Sequence, residues 1–240
     1  MSNQNEVTAQ SNFSDLNRNS YPGRGIVVGL DQAANVIQVY WIMGRSPDSR
    51  NRVFKSDETG RLYTEAVDAT KVKDPALIIY NAMRDQGQYH IVSNGNQTDT
   101  VAEFEIPFDL STALRNRVYE PDPSFTPRIT AVSSSRRSSV KMSILRKSVF
   151  DDSCDRLTYE LTPSPGFGYC ITTYAGDGNP LPSFCGDPLI MPLRGGSRDI
   201  LDTYWQALNE ENRVSLAVKL VDRENDSSHI YIINKYTQIG

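Results

Sequence analysis

The sequence predicts an α+β protein in which two mainly antiparallel β-sheets pack face to face and a few helices cover them. Three observations carry this. Roughly ten short runs are rich in Val, Ile, Tyr and Phe and are separated by Gly, Pro, Asn and Asp clusters, which is how short strands and their turns read. One long stretch has a clear helical period: Ser197–Asn209 sets Ile200, Leu201, Tyr204, Trp205 and Leu208 on one face. The 240 residues show no internal repeat and no linker after the first twenty, and 38% of them are apolar. That is enough to build a core without metals or disulfides.

Taken in order, residues 1–20 are rich in Ser, Asn and Gln and read as a polar, disordered arm. Residues 21–240 read as a single domain. Gly25–Leu30 and Asn35–Met43 are β-rich runs joined by a turn at Asp31–Ala34. Gly44–Arg52 is a loop, because Pro47 and its serines suit no regular element. Val53–Ser56 and Leu62–Val67 read as strands around Glu58-Thr59-Gly60. Ala76–Met83 and Gln88–Ser93 read as two strands around a turn at Arg84–Gly87. Thr98 or Asp99 starts a helix, and Asp109–Arg117 is helical with Asp109 or Ser111 as cap. Val118–Arg128 is an extended loop held by Pro121, Pro123 and Pro127. The second half is mostly strand: Ile129–Ser133, Val140–Arg146, Leu157–Thr162 and Gly168–Tyr174. A long Gly/Pro-rich loop, Gly176–Gly196, follows and is placed to cover a site. After the Ser197–Asn209 helix, Val214–Val221 and His229–Ile233 close the fold.

Composition removes several function classes. The net charge of −4 gives no footprint for nucleic acid. Arg136, Arg137, Lys141, Arg146 and Lys147 cluster, but without the interleaved aromatics of a single-strand-binding surface. No apolar run approaches the ~18 residues of a membrane span, and Met1–Ser20 has no hydrophobic segment of a secretory signal. Cys154, Cys170 and Cys185 are odd in number and far apart, which suits reduced thiols in the cytoplasm. The Asn12-Phe13-Ser14 sequon has no meaning there. His90 and His229 are the only histidines, and no ligand spacing for a metal occurs, so a histidine-based metal site is not expected.

Chemistry concentrates around Ile78–Asp99. Tyr80 and Asn81 end one apolar run, and Ser93-Asn94-Gly95 ends the next, ahead of Thr98-Asp99. A strand, a glycine turn and a helix start can aim backbone N–H groups at an anion. Turn chemistry alone also accounts for the stretch, since Asn-Gly is a common hairpin turn and Thr98 or Asp99 can simply cap a helix. Arg45, Arg50 and Arg52 fall in one loop. Guanidinium forks suit a phosphate or carboxylate, although a solvated loop reads the same way. The stiff proline loop would present Glu120 or Arg128 at a fixed place, or serve only as a connector.

Several pieces, in order, resemble the archaeal-type IMP cyclohydrolase family and its bacterial relatives. They are Tyr21-Pro22-Gly23-Arg24, Arg45-Ser46 with Asn51-Arg52, Tyr80-Asn81, Val92-Ser93-Asn94-Gly95 with Thr98-Asp99, Tyr119-Glu120 with Asp122, Thr126-Pro127-Arg128-Ile129, and Thr173-Tyr174. They run from Tyr21 to Tyr174. The resemblance implies a four-layer α-β-β-α fold like that of N-terminal nucleophile hydrolases. It also implies closure of 5-formamidoimidazole-4-carboxamide ribotide to IMP with loss of water, in purine biosynthesis and without a cofactor. It makes Tyr80, Glu120 and Arg45 the candidate catalytic residues. Glu120 would move the proton at the carboxamide nitrogen or departing hydroxyl, and Tyr80 would serve the developing oxyanion. Candidate substrate-binding residues are Arg24, Asn51, Arg52, Asn81, Ser93, Asn94, Gly95, Arg128, Thr173 and Tyr174. Asn81 and Asn94 would hold the carboxamide and formyl groups. Arg45, Arg52 and the Ser93–Gly95 backbone would hold the phosphate or ribose. The implied partners are the purine ribotide and IMP, with no nucleic acid and no membrane. Assembly into a homo-oligomer stays open.

The sequence departs from that pattern at named places. Trp41 follows Tyr40 where the family has arginine, Gln97 stands where it has histidine, and the arginine loop is two residues longer. A competing reading is therefore a purine-nucleotide-binding protein of the same fold with altered or no catalysis, in which Trp41 stacks on a base. An amidohydrolase of the wider fold is a third reading. The arm before Tyr21 argues against it, because it leaves no terminal Ser, Thr or Cys nucleophile.

Overall fold

A computed structural model describes residues 2–72, 74–121, 125–225 and 227–237; Asp122 lies outside them. The chain opens with α1 (Ser2–Arg18) and then forms the hairpin β1 (Gly25–Leu30) and β2 (Val36–Met43). A short turn of helix, α2 (Pro47–Arg50), leads to β3 (Val53–Ser56) and β4 (Leu62–Glu65). Another, α3 (Pro75–Ile78), precedes β5 (Asn81–Gln86) and β6 (Tyr89–Ser93). Then come α4 (Gln97–Ala102), α5 (Leu110–Ala113), β7 (Arg128–Ser134), β8 (Val140–Lys147), β9 (Cys154–Leu161), β10 (Phe167–Thr172) and β11 (Leu189–Pro192). The chain ends with α6 (Ser197–Ala207), β12 (Arg213–Asp222) and β13 (Ser227–Asn234).

Two antiparallel sheets result, a six-stranded one in the order β11-β10-β1-β2-β12-β13 and a seven-stranded one in the order β3 through β9. Alternation along β2 shows how they pack. Tyr40 and Ile42 point into the layer between the sheets, where they meet Met83, Val92, Ala131 and Met142. Val39, Trp41 and Met43 point the other way, into a layer closed by Leu16 of α1 and Ile200 and Tyr204 of α6. On the far side, Ile91 and Val132 pack under Val101, Leu110 and Leu114 of the α4–α5 region. Because both faces of β1 and β2 are covered, both strands are fully buried along their lengths, which is why their sequences are nearly unbroken apolar runs. The layers are therefore helix, sheet, sheet, helix. No helix among the described residues is long and apolar enough to cross a membrane.

Elements that differ from the sequence reading include the Gly44–Arg52 loop, which holds the helical turn α2: Ser46 caps it through its side chain and Pro47 starts it, so the Ser and Pro read as barring a regular element are its start signal. The polar lead-in is helix α1, not a disordered arm. Ala9, Phe13 and Leu16 recur at helical spacing and bury against the six-stranded sheet, with the Phe13 ring edge-on to Tyr204 at 5.3 Å. Asn12 adds a bond from its amide to the Ile190 carbonyl at 3.0 Å. Ala76–Met83 is not one strand. Pro75 starts a single helical turn, closed by Ile79 N–H to the Pro75 carbonyl at 2.7 Å, and β5 begins only at Asn81. The Gly176–Gly196 loop contains β11, which pairs as an edge strand with β10.

Candidate active site

Tyr80 falls in the break between α3 and β5. Its carbonyl accepts from Thr64 N–H at 3.0 Å and its N–H donates to Thr64 Oγ1 at 3.0 Å, so the side chain of β4 holds the residue outside the ladder. Its hydroxyl lies 2.7 Å from that of Tyr40 on β2. The two phenols thus join one sheet to the segment that leads into the other.

Arg24 stands just ahead of β1. Its N–H donates to Thr173 Oγ1 at 3.0 Å, and its carbonyl accepts from Thr173 N–H at 2.8 Å. Gly23 makes this approach possible. It has φ +73, and a Cβ there would sit 2.2 Å from Thr173 Oγ1 and 2.5 Å from the Tyr174 ring. Glu120 comes from the proline loop, whose ends are clasped by Glu120 N–H donating to the Thr126 carbonyl at 2.9 Å. Arg24 Nη1 donates to Glu120 Oε1 at 2.7 Å, with both side chains nearly buried. Thr126 Oγ1 and the Tyr174 hydroxyl, 2.8 Å apart, tie the loop to the end of β10.

A cavity of about 410 Å³ is walled by Arg24, Arg45, Arg52, Glu120, Thr173 and Tyr174, with Tyr21, Met43, Ile78, Thr126 and Leu181 as further wall; Tyr40, Tyr80 and Arg128 are not among its lining residues. Arg52 is buried, and its Nε and Nη2 both donate to the Ser49 carbonyl, at 3.1 and 3.0 Å. Arg45 is at the rim. It pairs with Asp177, donates to the Gly178 carbonyl at 3.1 Å and lies over the Tyr21 ring. Asp48 and Asp74 add acidic groups to the wall. No trio of His, Cys, Asp or Glu side chains among the described residues is grouped to hold a metal ion.

Electrostatics link the cluster. Burial alone lowers the Arg24 pKa, but the Glu120 charge and then the Tyr80, Tyr40 and Tyr174 phenols outweigh it and hold the group above its ordinary range. Arg52 goes the other way. Burial lowers its pKa, and the Arg24 charge adds to the effect. Arg128 is also lowered, chiefly by burial, and Glu120 and Tyr80 act on it as well. Burial and then the Tyr80 phenol push Tyr40 well above the ordinary tyrosine value. Three guanidinium groups therefore share the field of one carboxylate, and the Tyr80 phenol acts on all three.

Other expected site residues stand elsewhere. The Ser93–Gly95 turn offers no nest of open N–H groups. Asn94 N–H donates to the Ile129 carbonyl at 3.2 Å, and Gly95 N–H lies 3.4 Å from Ser93 Oγ. The buried Asn94 amide donates to the Pro127 carbonyl, and its oxygen accepts from Ile129 N–H and Gln97 Nε2, each at 2.9 Å. Gln97 Oε1 in turn accepts from Arg128 Nη1 at 2.7 Å. These residues position Arg128 from behind. Asn51 clasps the Asp68 backbone through two 2.8 Å bonds. Asn81 donates to Asp99 at 2.8 Å and lines a separate, shallower depression with Arg84 and Asp85. Trp41 is fully buried under α6, with its ring 6.4 Å from that of Tyr204. It cannot stack on a base in the cavity, and the reading that rested on it loses its support. Sequence reasoning passed over Tyr40 as a site residue; its signal was a phenol at an inter-sheet position of a strand whose only other polar side chain is Gln38.

An α+β protein with two packed antiparallel sheets and a cavity walled by guanidinium and phenol groups is the class that fold and site define. The chain belongs to the family described as IMP cyclohydrolase-like protein, whose model matches residues 21–226. It is 31% identical over 117 residues to a protein of Methanococcus maripaludis strain S2 named IMP cyclohydrolase, covering 47% of this chain and 57% of the relative. A protein of strain C7 with the same name matches at the same identity and coverage. The chain thus spans little more than half the length of these curated relatives.

Proposed function

We propose that this protein is an IMP cyclohydrolase, closing 5-formamidoimidazole-4-carboxamide ribotide to IMP with loss of water in purine biosynthesis. The observation that carries the reading is the nearly buried Arg24–Glu120 pair in a cavity that Arg52 and Arg45 also line, with Arg24 and Arg52 acting electrostatically on the Tyr40–Tyr80 pair. Guanidinium forks in such a wall suit a phosphate, and fixed hydrogen-bond donors suit a reaction that develops a negative oxygen. The names of the archaeal relatives point the same way.

In this reading the carboxamide nitrogen attacks the formyl carbon. Glu120 takes the proton released from that nitrogen, and Tyr80 gives its own to the formyl oxygen, producing a cyclic carbinolamine. In the second step Glu120 returns its proton to the departing hydroxyl, and Tyr80 recovers one from the former formamido nitrogen as the C=N bond forms. Water leaves, and both side chains end as they began. The guanidinium groups hold the oxyanion in a buried setting, where one well-placed donor is worth roughly 3 kcal/mol. Arg45, at the rim and partly exposed, suits the 5′-phosphate rather than the ring-closing atoms.

The test is direct. Incubating the protein with the formylated ribotide and following IMP absorbance should show stoichiometric, protein-dependent conversion. No conversion, with the ribotide shown to bind, overturns the reading.

A further inference from the structure

We infer that Tyr40 is a positioning residue for ring closure, donating its hydroxyl proton to the Tyr80 oxygen so that Tyr80 presents its own proton to the ligand. The inference rests on the proposed reaction and deepens its account of Tyr80.

Tyr40 is fully buried on the inter-sheet face of β2. Ile26 and Ala217 are its register partners on the flanking strands, and the Phe54 ring lies 5.4 Å from its own. Among the described residues, its hydroxyl has one hydrogen-bond partner, the Tyr80 hydroxyl at 2.7 Å. Either hydroxyl can donate in that bond, and in the inference the donor is Tyr40, the more deeply buried of the two.

The donation decides what Tyr80 can do. One lone pair of its oxygen is taken, and its hydrogen must find another acceptor. The charged groups that act electrostatically on this phenol pair include Arg24, ahead of β1, and Arg52, after α2. Guanidinium groups only donate, so neither can accept that hydrogen. In the inference that hydrogen goes to an oxygen of the bound ligand. Once Tyr80 has given up its proton, the Tyr40 hydroxyl and the two guanidinium groups face the oxygen that is left. Tyr40 thus serves the chemical step without touching the substrate.

The experiment is steady-state turnover of wild type, Tyr40→Phe, Tyr80→Phe and the double variant. The expected result is a fall of tenfold or more in kcat for Tyr40→Phe, with KM within about twofold of wild type. The double variant should be no slower than Tyr80→Phe alone, because Tyr40 acts only through Tyr80. The double variant leaves no hydroxyl stranded, so it keeps the comparison open should Tyr40→Phe alone fold poorly. A Tyr40→Phe kcat equal to wild type, or a double variant slower than Tyr80→Phe by the full Tyr40→Phe factor, overturns the inference and leaves the proposed function standing. A wild-type protein that makes no IMP overturns both.

Discussion

Arg24 Nη1 stands 2.7 Å from Glu120 Oε1, and the pair joins the residue ahead of β1 to a proline loop 96 positions later in the chain. Both side chains are nearly buried, so each is the other's main compensation for lost water. Arg52, in the same cavity, bonds only to the Ser49 carbonyl and has no ion pair with a carboxylate among the described residues.

That contrast predicts opposite effects on stability. Arg24→Met should destabilise the protein by about 3 kcal/mol in urea unfolding, since it strands the Glu120 charge. Arg52→Met should leave the melting temperature unchanged or raised, because it removes a buried charge that no side-chain carboxylate pairs. The proposed function predicts that IMP raises the melting temperature of the wild type, and both variants should lose that shift. A normal IMP shift in Arg52→Met would show that this guanidinium does not meet the ligand.

Two glycines separate packing from positioning. A Cβ at Gly25 would lie 1.9 Å from the Trp41 ring, which is locked under α6. Gly25→Ala should therefore cost about 1–3 kcal/mol or more, read as a lowered urea midpoint. At Gly95 a Cβ would meet Arg128 Nη1 at 2.5 Å, the movable end of a long side chain. Gly95→Ala should keep the midpoint close to wild type while lowering turnover by displacing Arg128. A large stability loss with normal turnover would reverse the roles assigned to the Asn94–Gln97–Arg128 chain.

The strands were legible where burial on both faces forces an unbroken apolar run, as in β1 and β2, or where alternation is clear, as in β8. The helix α6 was legible because Ile200, Leu201 and Tyr204 share a face. What sequence could not separate was a short apolar run in a strand from the same run in a helical turn, and Pro75–Ile78 is such a run. Polar composition masked α1, whose buried Ala9 and Leu16 and half-buried Phe13 are spread over two turns. For the site, Arg24, Arg52, Glu120, Thr173 and Tyr174 were named from motif pieces and do wall one cavity. Asn51, Ser93 and Asn94 sit in similar pieces, yet their polar atoms are used up on the backbone. Local sequence does not say which way a side chain turns.

A second buried charge pair predicts the acid behaviour. Lys219 of β12, fully buried, places Nζ 2.6 Å from each oxygen of Asp85 on β5 and 3.0 Å from the Gly60 carbonyl. Burial alone would raise the Asp85 pKa, but the bonds and charges of His90 and Lys219 bring it below the ordinary carboxylate value of 3.8. A group with a depressed folded pKa adds stability above its unfolded pKa, and loses it as pH falls through the folded one. The Asp85 contribution should thus be intact at pH 5, begin to fall at about pH 4 and be gone only below the depressed folded pKa. In urea unfolding followed against pH, Asp85→Asn should cost about 3–5 kcal/mol near neutrality and flatten the acid limb. Lys219→Met combined with Asp85→Asn should cost less than Asp85→Asn alone, since no charge is then stranded.

The central claim is that the Glu120 carboxylate and the Tyr80 phenol act on one bound ribotide. Its most direct test is kcat for ring closure in Glu120→Gln and Tyr80→Phe, each with its fold confirmed by an unchanged cooperative melt. The account predicts that each falls by about 10²-fold or more, the scale of general acid–base catalysis. Wild-type kcat in both folded variants would contradict it.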